Sequence, residues 1–377
     1  MKHITPIINV TNDCNLGCKY CYTGSAFYDL SKRDSINEKF TNYFPLLCNL
    51  LDQLMVYNNF DKTMLIFHGG EPLLITIENW EKTISYIKEK NYPFIFSVQT
   101  NGTMINEEYL NLFKKYKFDV GVSMDGTQEL NDITRPLKNG KSSFPLVFKN
   151  LLRLKEYEIN FGVLVTLNKS NINHIEDIYS FFKSHGIHFS IRPIFQSKFS
   201  DNDKYQLHPD EYGSANCRLF DLWFDDEEVN ISMIEEFPSM IAQFVNPIEG
   251  LVSCNFTKKC SENFISFDIN GDITPCNRFQ GEKDFVYGNL QLNTLEELMN
   301  NNISKPLRNR WESLAKTECN DCEIKEYCFG GCPANSLAIK NNYFEKDYYC
   351  SSFKTIFHHI NDRINKVIEK EKMLANK

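Results

Sequence analysis

Six short runs rich in β-branched and aromatic residues stand at Ile7–Val10, Met64–Phe67, Phe94–Val98, Val120–Ser123, Phe161–Thr166 and Phe189–Arg192. Between them lie stretches whose apolar residues fall three and four apart, most clearly Phe40, Tyr43, Phe44, Leu47, Leu50, Leu51 and Leu54. That spacing predicts a helix with one buried face. Trp80–Lys90, Glu107–Tyr116, Phe148–Tyr157 and Ile172–His185 read the same way. After the first pair, strands recur about every 25–40 residues, the spacing of βα units. The pattern predicts an α/β fold: an open, partial (β/α)6 barrel over residues 1–200. Asp201–Val245 is acidic and helical in pattern, so residues 201–250 read as a helical linker that wraps back across the barrel. Short loops and clustered cysteines over residues 251–352 predict a small metal-organised domain, and residues 353–377 a charged C-terminal helix.

In a parallel barrel, loops at the C-terminal ends of the strands build the active site. The unusual residues of this chain fall there. Cys14–Cys21 follows the first strand, His68-Gly69-Gly70-Glu71-Pro72 the second and Gln99-Thr100-Asn101-Gly102 the third. Ser123-Met124-Asp125-Gly126 closes the fourth, and Thr166-Leu167-Asn168 the fifth. Each loop alone is ordinary turn chemistry. Their convergence on one mouth points to a site.

Composition narrows the choices. With 42% apolar and 24% charged residues in 377, the chain can bury a substantial core and is not intrinsically disordered. A net charge of −8 argues against a nucleic-acid backbone as partner. No apolar run reaches the length of a membrane span, and Met1–Val10 lacks the features of a signal peptide, so a cytoplasmic protein is expected. In that compartment its 13 cysteines are not expected to form disulfides. Metal or iron–sulfur ligation explains their tight grouping better.

Cys14, Cys18 and Cys21 have C-x3-C-x2-C spacing, with Gly17 permitting a tight loop. Three thiolates can hold three irons of a [4Fe–4S] cluster and leave the fourth open to a ligand; a zinc site short of one ligand is the simpler alternative. Set after a first strand and followed by Gly69-Gly70-Glu71-Pro72, this loop resembles the radical S-adenosylmethionine (SAM) superfamily. The resemblance implies that SAM binds the open iron and that its reductive cleavage yields a 5′-deoxyadenosyl radical able to remove hydrogen from an inert C–H bond. It assigns Gly69, Gly70 and Glu71 to the SAM amino group and Tyr20 to the adenine. It assigns Asn101, Ser123 and Arg135 to ribose or the methionine carboxylate. For Arg135 a surface turn before Pro136 is the competing reading.

The C-terminal cysteines resemble the SPASM extension of radical SAM enzymes that modify peptides and proteins. Cys260 and Cys276 flank Gly271, and Cys319-x2-Cys322-x5-Cys328-x3-Cys332 is followed by Cys350. By that resemblance Cys254, Cys260, Cys276 and Cys332 hold one auxiliary [4Fe–4S] cluster, and Cys319, Cys322, Cys328 and Cys350 the second. The bland alternative is a pair of zinc sites. Full ligation leaves no auxiliary iron free for substrate, which implies electron transfer. Cys48 and Cys217 remain over and read as small buried hydrophobes.

Ser97–Thr103, Val122–Gly126 and Leu219–Trp223 resemble anaerobic sulfatase-maturating enzymes, which oxidise a sulfatase Cys or Ser to formylglycine. In that group an aspartate after the third cysteine of the first auxiliary set is the proposed base; here the position is Asn277, and an amide cannot take a proton. Thr23 and His68 also depart from the group's pocket, His68 being either a hydrogen-bonding group or base, or a packed strand-end residue. Glu282 and Asp284 are alternative bases, though a solvated loop is the plainer reading. The expectation is therefore a maturase that oxidises or crosslinks (thioether or carbon–carbon) a ribosomally made peptide, with formylglycine formation as the alternative. A peptide or protein substrate and a small flavodoxin- or ferredoxin-type reductant are the implied partners.

Overall fold

The computed structural model describes residues 4–23, 26–27, 33–58, 62–197, 203–228, 230–246 and 253–375. Six parallel strands follow one another in space as in sequence: β1 (Thr5–Asn9), β2 (Thr63–His68), β3 (Phe94–Thr100), β4 (Asp119–Ser123), β5 (Phe161–Leu167) and β6 (Phe189–Pro193). Their connecting helices are α1 (Arg33–Tyr57), α2 (Ile77–Glu89), α3 (Glu107–Tyr116), α4 (Gln128–Thr134), α5 (Phe144–Glu156) and α6 (Ile175–His185), with α4 and α5 both lying between β4 and β5. The short α4 has no counterpart in the periodicity reading. Asn106 caps α3 by accepting the Tyr109 N–H at 3.0 Å, and left-handed Gly186 ends α6.

Strand period two separates two faces. Phe67, Val98, Val122 and Val165 are fully buried against the helices, where Leu47, Leu51, Trp80, Ile84 and Phe113 complete the core. The opposite face is small or polar: Ser97, Gln99, Gly121, Gly162 and Ser190 line a hollow of about 520 Å³ within the barrel. Gly121 leaves room there for Gln99, whose Oε1 would lie 2.2 Å from a Cβ and would have to swing aside. The sheet does not close. Instead β7 (Phe264–Phe267), from the cysteine-rich segment, pairs in parallel with the free edge of β1, Thr5 opposite Phe264 and Ile8 opposite Phe267. Then β8 (Asp272–Thr274) and β9 (Gly288–Asn289) continue it antiparallel, so one nine-stranded sheet runs through both halves.

After the barrel come α7 (Pro209–Phe224) and α8 (Glu236–Val245), and later α9 (Pro333–Lys340) and the long α10 (Cys350–Ala375). The α7 N-terminus has a full capping box between His208 and Glu211, with Pro209 in the first turn. It packs on α10: Ser352 Oγ donates to Pro209 O at 2.5 Å and His359 Nε2 lies 2.8 Å from Asp221 Oδ1. Among the described residues no helix is long and apolar enough to cross a membrane.

Candidate active site and thiol quartets

Two loops meet at the C-terminal ends of β1 and β2. Gly70 N–H donates to Thr11 O at 2.8 Å and Glu71 N–H to Asp13 O at 2.8 Å. A Cβ on Gly69 would stand 2.2 Å from Thr11 O, and one on Gly70 2.1 Å from Asp13 O. The glycine pair is therefore demanded by backbone approach to the cysteine loop. From the other side, Gly17 N–H donates to Pro136 O and Lys19 N–H to Thr134 O, both at 2.9 Å.

Cys14, Cys18 and Cys21 all face one cavity of about 220 Å³. Leu16 N–H and Asn101 Nδ2 both donate to Cys14 Sγ, at 3.5 and 3.7 Å, as suits a thiolate. Burial, the Glu71 carboxylate and Cys21 outweigh these donors and push the Cys14 thiol up to about 12; burial and the other two cysteines push Cys18 up as well. Thiols gathered and buried in this way deprotonate only against compensating positive charge, which the irons of an iron–sulfur cluster would supply. The residues fit that group.

His68, Gly69, Gly70, Asn101, Ser123, Arg135 and Tyr20 share the same cavity. Asp125, fully buried, ties several of them together. It accepts from Tyr20 Oη at 2.6 Å, Thr134 Oγ1 at 2.7 Å and Thr166 N–H at 3.1 Å, and lies 3.1 Å from Arg135 Nε. Arg135 is only 7% exposed and stacks 5.1 Å from the Tyr20 ring centroid, so it is no surface turn. Ser123 Oγ accepts from Gln99 Nε2 at 3.0 Å.

For three of the residues singled out in the sequence the structure adds side-chain geometry. Glu71 does not face the cavity: its carboxylate accepts Thr100 Oγ1 at 2.6 Å, Asn101 N–H at 2.7 Å and Leu73 N–H at 3.0 Å. It braces the loops after β2 and β3, and burial outweighs these bonds, raising it from 4.5 to about 7. His68 faces the cavity, but its Nδ1 accepts Gly69 N–H at 2.7 Å and burial lowers it to about 4. Nδ1 also stands 3.2 Å from Gly69 O, so the tautomer decides which ring nitrogen carries the proton; held neutral by burial, His68 is a weak base. Asn277 is 5% exposed, off the cavity wall, with Oδ1 accepting Asn9 Nδ2 at 3.0 Å and Ser266 Oγ at 2.6 Å. Its Nδ2 has no hydrogen-bond partner among the described residues, though it lies toward the Tyr22 phenol. Glu282 and Asp284 do not line the cavity, and Asp284 is exposed.

Residues the sequence reading passed over complete the wall: Tyr22, Arg192, Phe195 and Arg278. Arg192 alternates inward on β6 and pairs with Glu236. Arg278 had a signal in its closeness to Cys276, two residues before it.

The C-terminal thiols fall into two sets by mutual charge effect. Cys254, Cys260, Cys276 and Cys332 act on one another, Cys254 being the exposed member. Cys319, Cys322, Cys328 and Cys350 form the other set. Cys332 N–H donates to buried Asp347 Oδ2 at 2.6 Å. Arg310 fixes the surrounding turns through the carbonyls of Gly330, Gly331, Tyr343 and Glu345. Among the described residues no three His, Cys, Asp or Glu groups converge as a single metal ion requires; a cluster binds each thiolate through a separate iron. Cys48 on α1 and Cys217 on α7 stand outside both sets, half-buried.

Comparison with known proteins gives matches along most of the chain. The radical SAM superfamily matches residues 8–182, and SPASM, an iron–sulfur cluster-binding domain, matches residues 257–323. The cysteine-type anaerobic sulfatase-maturating enzyme of Clostridium novyi (strain NT) is 30% identical over 95% of both chains. The serine-type enzyme of Bacteroides thetaiotaomicron is 26% identical over 92% of this chain and 86% of its own. A solved structure of native anSMEcpe with bound AdoMet and Kp18Cys peptide is 25% identical with a TM-score of 0.77, covering 97% of this chain and 99% of that one.

Proposed function

The chain belongs to the radical SAM superfamily and carries its SPASM iron–sulfur domain; from that premise we propose that it oxidises a cysteine side chain in a peptide or protein substrate. SAM and [4Fe–4S] clusters are its cofactors, and when bound they supply a radical that removes one hydrogen atom from the substrate and an acceptor for the electron that follows.

The chain's own residues divide the remaining work. Cys14, Cys18 and Cys21 hold the SAM-binding cluster, and Leu16 N–H and Asn101 steady the Cys14 sulfur. Gly69 and Gly70 leave backbone free to meet the SAM amino group. Arg135, held by Asp125, and Ser123 provide the polar contacts, and Tyr20 the aromatic surface. Glu71 acts indirectly, by fixing the loops that carry these groups. The two quartets hold the auxiliary clusters. A flavodoxin- or ferredoxin-type protein is the proposed source of the first electron, and the cytoplasm the proposed compartment.

One observation carries the choice of cysteine. The cavity has Arg135, Arg192 and Arg278 on its wall and no carboxylate among its described lining residues. His68, lowered to about 4 by burial, is a weak base, and Asn277 is an amide behind the wall, so no strong base stands ready. A thiol, with a pKa of about 8.5, is thiolate to about a few per cent near neutral pH and can react through that fraction without a base; a serine hydroxyl has no such fraction. Similarity to a cysteine-type maturase over nearly the whole chain supports formylglycine as the product. The amide at Asn277 favours a second reading, in which the oxidised residue is trapped as a thioether or carbon–carbon crosslink.

Reconstituted enzyme, SAM and reductant incubated anaerobically with paired sulfatase-type peptides carrying Cys or Ser test this by mass spectrometry. The Cys peptide is expected to react and the Ser peptide to stay unchanged. An aldehyde supports the first product, and loss of two hydrogens with the sulfur retained supports the second. Equal turnover of both peptides would overturn the cysteine assignment. Installing Asn277→Asp is expected to raise Ser turnover by about tenfold, short of the roughly 10²–10⁴-fold of a positioned base because residue 277 stands behind the cavity wall.

A further inference from the structure

A guanidinium stands between the cavity and the first quartet. Arg278 Nη1 donates both to Cys332 Sγ at 3.5 Å and to Asn335 Oδ1 at 3.0 Å. Its Cζ lies 5.1 Å from the Phe195 ring centroid, so the group is held between the segment after β6 and the quartet. Asn335 Nδ2 in turn donates to both oxygens of Asp347 at 3.1 Å, the same carboxylate that accepts the Cys332 N–H. The other two arginines of the cavity have carboxylate partners, Asp125 and Glu236. The charged neighbours of Arg278 are instead Cys332, Cys254 and Cys276, with the Tyr22 phenol after them.

We propose that Arg278 is a positioning residue for electron transfer: it fixes a cationic N–H donor on Cys332 so that the cluster of the first quartet, on the cavity side, accepts the electron released by the substrate. The proposal rests on that quartet holding a [4Fe–4S] cluster. Reduction adds negative charge to a cluster, and a nearby cation or a hydrogen bond to a ligand sulfur stabilises the reduced form and raises the potential. The step balances simply. A substrate radical on the carbon beside a thiol loses one electron and one proton and gains a C=S double bond. A cluster held by Cys254, Cys260, Cys276 and Cys332 would take up that one electron, and the proton goes to water. Asp347 and Asn335 set the orientation, since without their tether the long side chain samples many rotamers.

The test is a redox titration followed by electron paramagnetic resonance. The full chain carrying Cys14→Ala, Cys18→Ala and Cys21→Ala leaves only the auxiliary clusters. Adding Arg278→Gln is expected to shift one of the two midpoint potentials downward and leave the other in place, with Arg278→Lys falling between. Two clusters at full iron content with neither potential shifted would overturn the role of Arg278 alone. A single auxiliary cluster, with the first quartet free of iron, would overturn the quartet assignment and the proposal together. If Arg278→Gln loses iron, Asn335→Ala carries the test: it frees the guanidinium, a smaller downward shift is expected, and an unchanged potential overturns the proposal.

Discussion

The loop of Cys14–Cys21 and the thiols of residues 254–350 are held in place by different means. The first is gripped by backbone hydrogen bonds from the loops after β2 and α4, over a core of long strands and amphipathic helices. The second lies among strands of two to four residues and helices as short as four, with Cys319, Cys328 and Cys332 themselves buried. In the barrel, packing places the ligands. In the C-terminal half the cysteines are a large part of the packing, so clusters held by them, as proposed, would contribute folding energy directly.

The largest expected effect follows from removing one ligand in each half. Cys260→Ala is expected to lose about four of about twelve irons and leave residues 253–352 open to protease. Cys18→Ala is expected to lose the same amount of iron with a nearly unchanged thermal midpoint. Equal destabilisation by the two, measured by calorimetry and iron content, would break the contrast.

Next comes Gly70→Ala, whose Cβ meets Asp13 O at 2.1 Å. It is expected to weaken SAM binding at least about tenfold, equivalent to about 1.4 kcal/mol, while the auxiliary clusters keep their iron. Equilibrium binding and iron analysis on one preparation decide it.

Glu71→Gln sharpens the account of the barrel loops. The fully buried acid is raised from 4.5 to about 7, so between those pH values the folded chain binds more protons than the unfolded one. Stability from this group is therefore present at low pH and falls as pH rises through that window, by about 3 kcal/mol at most. The variant is expected to flatten that dependence of the thermal midpoint, and to lose roughly 1–3 kcal/mol at low pH by placing an amide NH2 against backbone donors. A parallel pH profile in both proteins would remove Glu71 as the cause.

The smallest effect belongs to Tyr20→Phe, which takes one donor from Asp125. A loss of about 1 kcal/mol in denaturant unfolding is expected.

Much of this contrast was legible in the chain. All six barrel strands stand where β-branched runs predicted them, because those strands are buried and their pattern is set by local periodicity. The cysteine spacings led to the family through motif alone. What the sequence hid depends on contacts between distant segments. Pairing of β7 with β1 joins residues more than 250 apart, and nothing in Phe264–Phe267 marks that partner. Glu71 sits inside a recognised motif, yet only the positions of Thr100 and Asn101 turn its carboxylate away from the cavity. Asn277 was legible as a missing base, while its bonds to Asn9 and Ser266 needed the sheet to be assembled. Arg278 gained meaning only when Cys332 and Phe195 came to it from either side along the chain.

The central claim is that the barrel generates the radical while the first quartet takes the electron. Cys276→Ala, incubated anaerobically with SAM, reductant and the Cys peptide, tests it by following 5′-deoxyadenosine and peptide product in one reaction. The account predicts that 5′-deoxyadenosine still forms while oxidised peptide is lost. Oxidised peptide formed at the unaltered ratio to 5′-deoxyadenosine would contradict it.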